Sequence, residues 1–131
     1  MSTRSLIAKA TEHGFEAIYC HHDGYPEHHG PILTQHYATE EAVNALLELG
    51  DLSALGPRLG QAQDFCKRDP SSDSWLAYGR DRGDKDAGMR GFATEEELLA
   101  SAEKRWAQFV YLFRDGRWFC RKVGEAGWQT L

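Results

Sequence analysis

Residues 18–30 read IYCHHDGYPEHHG and place four histidines, a cysteine and an aspartate in one short run. Imidazole, thiolate and carboxylate are donors for zinc or another transition ion when two to four of them converge. His21 and Asp23 are two apart, so on extended backbone both project to one side. His36 completes a set of three if the segment after the turn folds back over them. An imidazole beside a carboxylate also holds the ingredients of general acid–base work. Cys20 would add a nucleophile if its thiol pKa were lowered. His21, Asp23 and His36 are therefore the candidate catalytic residues and the candidate metal ligands.

A simpler reading stands beside that one. No HxxxH pair and no CxxC supports a metal centre. The doublets His21-His22 and His28-His29 point their members to opposite sides of an extended chain, and Cys20 alternates away from His21. Asp23-Gly24-Tyr25-Pro26 is also turn chemistry: an aspartate bonds its own following backbone, and a glycine is free to take positive φ. These four residues are candidate binding positions on such a turn. No cofactor is expected.

The elements that would position these groups follow from patterning. Residues 4–10 and 15–22 read as two strands around a Glu-His-Gly turn. On the second, Phe15, Ala17 and Tyr19 share one face while Ile18 and Cys20 share the other, which predicts an inner strand. Residues 30–38 predict a short helix with Pro31 in its first turn. A second helix begins at Thr39, with Val43, Leu46 and Leu47 as its buried stripe and Gly50 just past its end. Residues 51–57 predict one short turn, residues 56–74 a loop, 75–78 a strand and 79–91 a polar surface loop. A third helix follows, where Thr94 and Glu97 match a capping box and Leu98, Ala102 and Trp106 lie near one face. YATEEA (37–42) and FATEEE (92–97) echo each other, as an old duplication of a strand-plus-helix unit would or, more simply, as two good helix starts do. Asp115-Gly116 between two alternating aromatic runs is a strong hairpin signal. The expected fold is a single α+β domain over 1–131: an antiparallel sheet of about five strands, with two to three helices on one face.

The last hairpin carries a second candidate surface. Arg117, Trp118 and Arg121 combine cations with an aromatic, a pairing that binds single-stranded nucleic acid by stacking and phosphate contact. The aromatics alternate as core residues do, which favours a core with a solvated rim. Charge weighs the same way. Up to Phe65 the balance is −6 and from Cys66 onward it is +1, within a net −5. Nucleic-acid binders rest on clustered Lys and Arg, so an acidic front half points away from that class and suits a basic protein partner. No apolar run reaches the roughly 20 residues of a membrane helix, and the first residues lack a signal-peptide pattern. Cys20, Cys66 and Cys120 form no CxxC, as expected of a reduced cytoplasmic compartment.

MSTRSLI, IYCHHDGYP, the GPIL…HY segment and ALLELGDLSALG together resemble a group of small phage, prophage and plasmid proteins. The group shares an MSTRS-type start and a YCHxDGYP motif, and the likeness covers roughly the first 56 residues. His21, Asp23, Gly24, Tyr25, Pro26 and His36 match the shared pattern. The chain departs at His22, where the group has Trp, and at His28-His29, where it has small or apolar residues. That speaks against a shared metal site using those three. The resemblance implies a mobile-element origin in a bacterial host and no particular reaction. By analogy of origin, the expected function is a non-enzymatic module that binds a host or phage protein, as inhibitors of bacterial defence such as anti-CRISPR proteins do. A metal-binding or hydrolase-like protein centred on His21, Asp23 and His36 is the alternative, and nucleic-acid binding through the last hairpin a third reading.

Overall fold

The computed structural model describes residues 3–55 and 88–131. The predicted loop 56–74, the strand 75–78, most of the loop 79–91 and Cys66 lie outside the described residues. Two hairpins make the frame. Strands β1 (Ser5–Thr11) and β2 (Gly14–His22) pair antiparallel across the two-residue turn Glu12-His13. Gly14 has φ +147°, and a Cβ there would lie 2.1 Å from the Phe92 carbonyl oxygen, so close backbone approach selects the glycine.

β2 continues into helix α1 (Pro26–His36), then α2 (Glu40–Glu48) and β3 (Leu52–Ala54). α1 starts four residues before its predicted place. Proline restricts the residue before it to extended backbone, so Tyr25 stays outside the helix while Pro26 takes its first position. Pro31 consequently sits inside the helix rather than in its first turn. α2 matches expectation: the Thr39 hydroxyl accepts from the Ala42 amide, and Val43, Leu46 and Leu47 are buried. Residues 52–54, predicted as part of a turn, form a strand because β2 has an open neighbour there and Leu52 fills the core beside it.

The second half adds β4 (Arg90–Phe92), α3 (Glu95–Lys104), β5 (Phe109–Arg114), β6 (Arg117–Lys122) and β7 (Gln129–Thr130). β4 takes the end of the predicted 79–91 loop into the sheet beside β2. Thr94 caps α3 through the Glu97 amide, while the Glu97 carboxylate reaches back to the Ala93 amide, one residue before the usual box partner. Asp115 and Gly116 both take positive φ, as the two-residue hairpin requires.

The fold is α+β, as the patterning predicts, with two departures. The sheet is mixed and has seven strands among the described residues, in the order β3-β2-β1-β5-β6-β7 with β4 beside β2. The two hairpins meet through their first strands, so β1 and β5 run parallel. The helices also occupy both faces. Ile7, Ile18, Cys20, Tyr111 and Phe113 pack with Leu33, Val43, Leu46 and Leu47 of α1 and α2. Leu6, Ala8, Ala17, Val110 and Leu112 pack with Leu98 and Ala102 of α3. Central strands that are apolar on alternate residues of both sets expose one greasy face unless each side receives a helix.

Candidate functional site

Of the sequence-flagged residues, His21 through Pro26 lie at the end of the sheet where β2 ends and β1 and β5 begin, and the three candidate ligands do not converge. His21 lies on the α3 face, with its Nδ1 hydrogen-bonded to the Tyr19 hydroxyl at 2.7 Å. Asp23 takes φ +57°, which breaks the extended run and with it the parity that would have placed it beside His21. His36 is exposed in the last turn of α1, which packs on the opposite face. Ten residues of helix carry it about 15 Å from the Pro26 end. The structure therefore does not bring His21, Asp23 and His36 together. Among the described residues, no group of three His, Cys, Asp or Glu is placed to hold a metal ion. Cys20 is sealed in the core, and burial pushes its thiol up to about 12, away from the thiolate that nucleophilic work needs.

The Gly-Tyr-Pro turn has a structural cause different from the predicted one. Asp23, not Gly24, adopts the left-handed conformation. Gly24 is needed because the chain passes against β1: a Cβ there would lie 2.7 Å from Ser5 Cβ and 2.8 Å from the Thr3 carbonyl oxygen. Its amide donates to Thr3 O at 2.8 Å and its carbonyl accepts from the Tyr111 hydroxyl at 2.6 Å. Tyr25 is exposed at the rim, and Pro26 lines a cleft of about 330 Å³ with Glu27, Phe109, Cys120, Lys122 and Gln129. Arg121 lines the same cleft, so the two predicted binding segments meet there.

Beneath this turn lies a polar knot that the sequence reading missed. Ser5 Oγ and His29 Nε2 share a hydrogen bond of 3.2 Å, and both residues are fully buried. The His29 ring lies 5.0 Å from that of Tyr111, and its Nδ1 has no hydrogen-bond partner among the described residues. A hydroxyl beside an imidazole is the arrangement of an activated nucleophile. Here burial, followed by the charge of His28, lowers the His29 pKa to about 3, and no solvent path reaches the pair. A base that weak, in a sealed site, holds the turn rather than moving a substrate's proton. Burial likewise raises the Tyr111 hydroxyl above its ordinary pKa. His28 lies higher on the helix and shares a 3.1 Å hydrogen bond with the Leu55 carbonyl. One signal for the knot was present: alternation along β1 puts Ser5 on the same face as Ile7, so a hydroxyl had to be buried.

The α3 face carries a second, open constellation, also missed. Asp51 is buried and accepts from the Tyr19 amide at 2.8 Å. Arg90 grips both its oxygens at 3.0 and 3.1 Å, and Arg105 approaches at 3.5 Å. The Arg105 guanidinium lies 5.3 Å over the Tyr19 ring, whose hydroxyl meets His21. Burial, then His22 and Arg4, lowers the His21 pKa. Next to Arg105 stands Trp106, predicted to follow Leu98 and Ala102 into the core. It is instead 78% exposed, because α3 ends at Lys104 and Trp106 turns to φ +61°. Its amide still bonds to Glu103 O, and the Ala107 amide to Ala102 O, a helix stop that glycine usually occupies.

The last hairpin does not present its predicted aromatic. Trp118 is buried, packs 5.2 Å from Phe113, and donates from Nε1 to the Tyr37 carbonyl at 2.8 Å. Arg117 is exposed beside the turn, while Arg121, on the face away from Trp118, lies over Trp128 and donates to the Glu125 carbonyl. Arg117, Trp118 and Arg121 thus form a core with a solvated rim and no stacking platform.

Comparison with protein-family models, curated proteins and solved structures gives no match to the chain. Among the described residues no helix is long and apolar enough to cross a membrane.

Proposed function

We propose that the protein is a non-enzymatic binding module of mobile-element origin, acting in the bacterial cytoplasm on a host or phage protein, with inhibition of a host defence system as its role. The observation that carries this reading is Trp106. A bulky residue in left-handed backbone costs about 1–2 kcal/mol, and here it buries almost nothing in return. Such strain is retained where a surface has a use for the side chain. Trp and Arg are the side chains that most often dominate protein interfaces, and Arg105 stands beside Trp106, already oriented by Asp51 and Tyr19. Covering a tryptophan removes on the order of 200 Å² from water, about 4–5 kcal/mol of gross driving force.

The test is affinity capture with cross-linking in a bacterial host, using the wild-type chain, Trp106→Ala, and Lys122→Gln on the opposite face. A stoichiometric partner held by wild type and Lys122→Gln, and lost by a folded Trp106→Ala, is the expected result. A partner retained equally by Trp106→Ala, or no stoichiometric partner at all, overturns the reading.

A further inference from the structure

The row of side chains beside Trp106 carries more than apolar area. On the α3 face of the sheet, Tyr19, Leu6, Val110 and Arg121 lie in register. One row nearer the sheet end, the ladder continues through the Gln108 amide to the Arg4 carbonyl at 2.8 Å, and through the Val123 amide to the Gln108 carbonyl. That register sets Arg4 across from His21. Arg4 is half-buried, and among the described residues its guanidinium has no hydrogen bond or ion pair. One guanidinium nitrogen of Arg90 donates to both oxygens of Asp51, and the more distant Arg105 is left with donors to spare. The Tyr19 hydroxyl and His21 Nδ1 share one hydrogen bond, and among the described residues Nε2 of the same ring has no hydrogen-bond partner. Arg105 lies over the Tyr19 ring, the Tyr19 hydroxyl meets His21, and the charge of Arg4 reaches that imidazole. The three side chains therefore share one corner of the face, with the exposed Trp106 next to Arg105 in the chain.

We infer that Arg4, His21 and Arg105 form a receptor for a single oxyanion group, a carboxylate or phosphate, which the partner of Trp106 presents; this rests on the binding function proposed above. The chemistry fits one group rather than a polyanion. Guanidinium pairs oxyanions through two parallel hydrogen bonds, and the indole covers the apolar part that bears the anion. A run of phosphates would need a continuing track of cations, whereas the exposed Glu103, whose carbonyl accepts from the Trp106 amide, puts an acid next to that residue.

The full chain is titrated with inorganic phosphate and, separately, acetate at constant ionic strength, while NMR follows the arginine side chains and the His21 ring. Saturable shifts at Arg4, Arg105 and His21 are expected, with the His21 pKa moving upward as the anion binds. Affinity falls about tenfold in Arg4→Gln, less in Arg4→Lys, and is unchanged in Lys122→Gln. Stronger binding of phosphate assigns a phosphorylated group, and equal or stronger binding of acetate assigns a carboxylate. Shifts that never saturate with either anion, or that survive Arg4→Gln unchanged, overturn the inference. So does a single-stranded oligonucleotide whose affinity falls with salt at a slope of several phosphates. Because free anions replace the partner, failed capture in cells alongside saturable anion binding overturns the proposed function and leaves the receptor in place.

Discussion

Neighbouring residues of β2 lead into two different kinds of polar cluster. Cys20 points to the α1 side, where Ser5, His29 and Tyr111 are sealed under the Gly24 turn. Tyr19 and His21 point to the α3 side, where the buried Asp51 anchors Arg90 and Arg105, which with Arg4 reach solvent. α1 crosses the sheet end on one face, and α3 stops short of it on the other. The presence or absence of one helical turn overhead decides whether a histidine at this end is structural or available. The buried one has lost its basicity, while the open one keeps its Nε2 for a guest.

The largest effect should come from breaking the open side. Asp51→Ala removes the acceptor of the Tyr19 amide and the shared partner of two arginines. Breaking a buried ion pair from one side costs about 3–5 kcal/mol. Arg90 and Arg105 keep 32% and 29% of their side chains in water, so the loss should sit near 3 kcal/mol in urea unfolding. A loss under about 1 kcal/mol would show that Asp51 orders this face without supporting the fold.

The sealed side is probed next, by acid. His29 is neutral in the fold down to about pH 3, whereas the unfolded chain takes up its proton near 6.5. The folded pKa is lowered, so the unfolded state binds more protons below 6.5. Stability is then lost as pH falls from 6.5 towards 3, at about 1.4 kcal/mol per unit, or roughly 2 kcal/mol by pH 5. Ser5→Ala with His29→Leu removes both hydrogen-bond partners and should flatten this part of the pH–stability curve. A curve unchanged in the double variant would place the acid sensitivity elsewhere.

The smallest effect separates the open corner's use from its stability. Trp106→Gly puts the residue that left-handed backbone favours at the end of α3 and should raise stability by about 1 kcal/mol. The same change should abolish partner capture. A variant that is less stable than wild type would mean that Trp106 packs against the chain after all.

Local signals were well recorded in the sequence. Thr39 and Thr94 cap their helices, Asp115-Gly116 turns its hairpin, and the alternation of β2 sorts Ile18 and Cys20 from Ala17 and Tyr19, because each depends on neighbours a few positions away. The sites were less legible for the same reason. Asp51 meets Tyr19, Arg90 and Arg105 across separations that no periodicity encodes, and Ser5 meets His29 only once α1 lies on the sheet. Trp106 leaves the face its helical spacing predicts because α3 stops two residues before it. The echo of YATEEA and FATEEE also resolves locally: Tyr37 ends a helix and Phe92 belongs to a strand, so the shared Thr-Glu-Glu is cap chemistry on two unlike supports.

The parallel seam between β1 and β5 has a bearing on synthesis. Ser5 pairs with Phe109 and Lys9 with Phe113, so the strand at the middle of the sheet is made first and completed only after residues 109–113 leave the ribosome. Until then β1 carries one unpaired side and both cores lack a wall, since Val110 and Leu112 supply one and Tyr111 and Phe113 the other. Pairings that distant in sequence close slowly. A nascent chain arrested before Phe109 should therefore remain protease-sensitive throughout, and protection should arrive in a single step once β5 and β6 emerge.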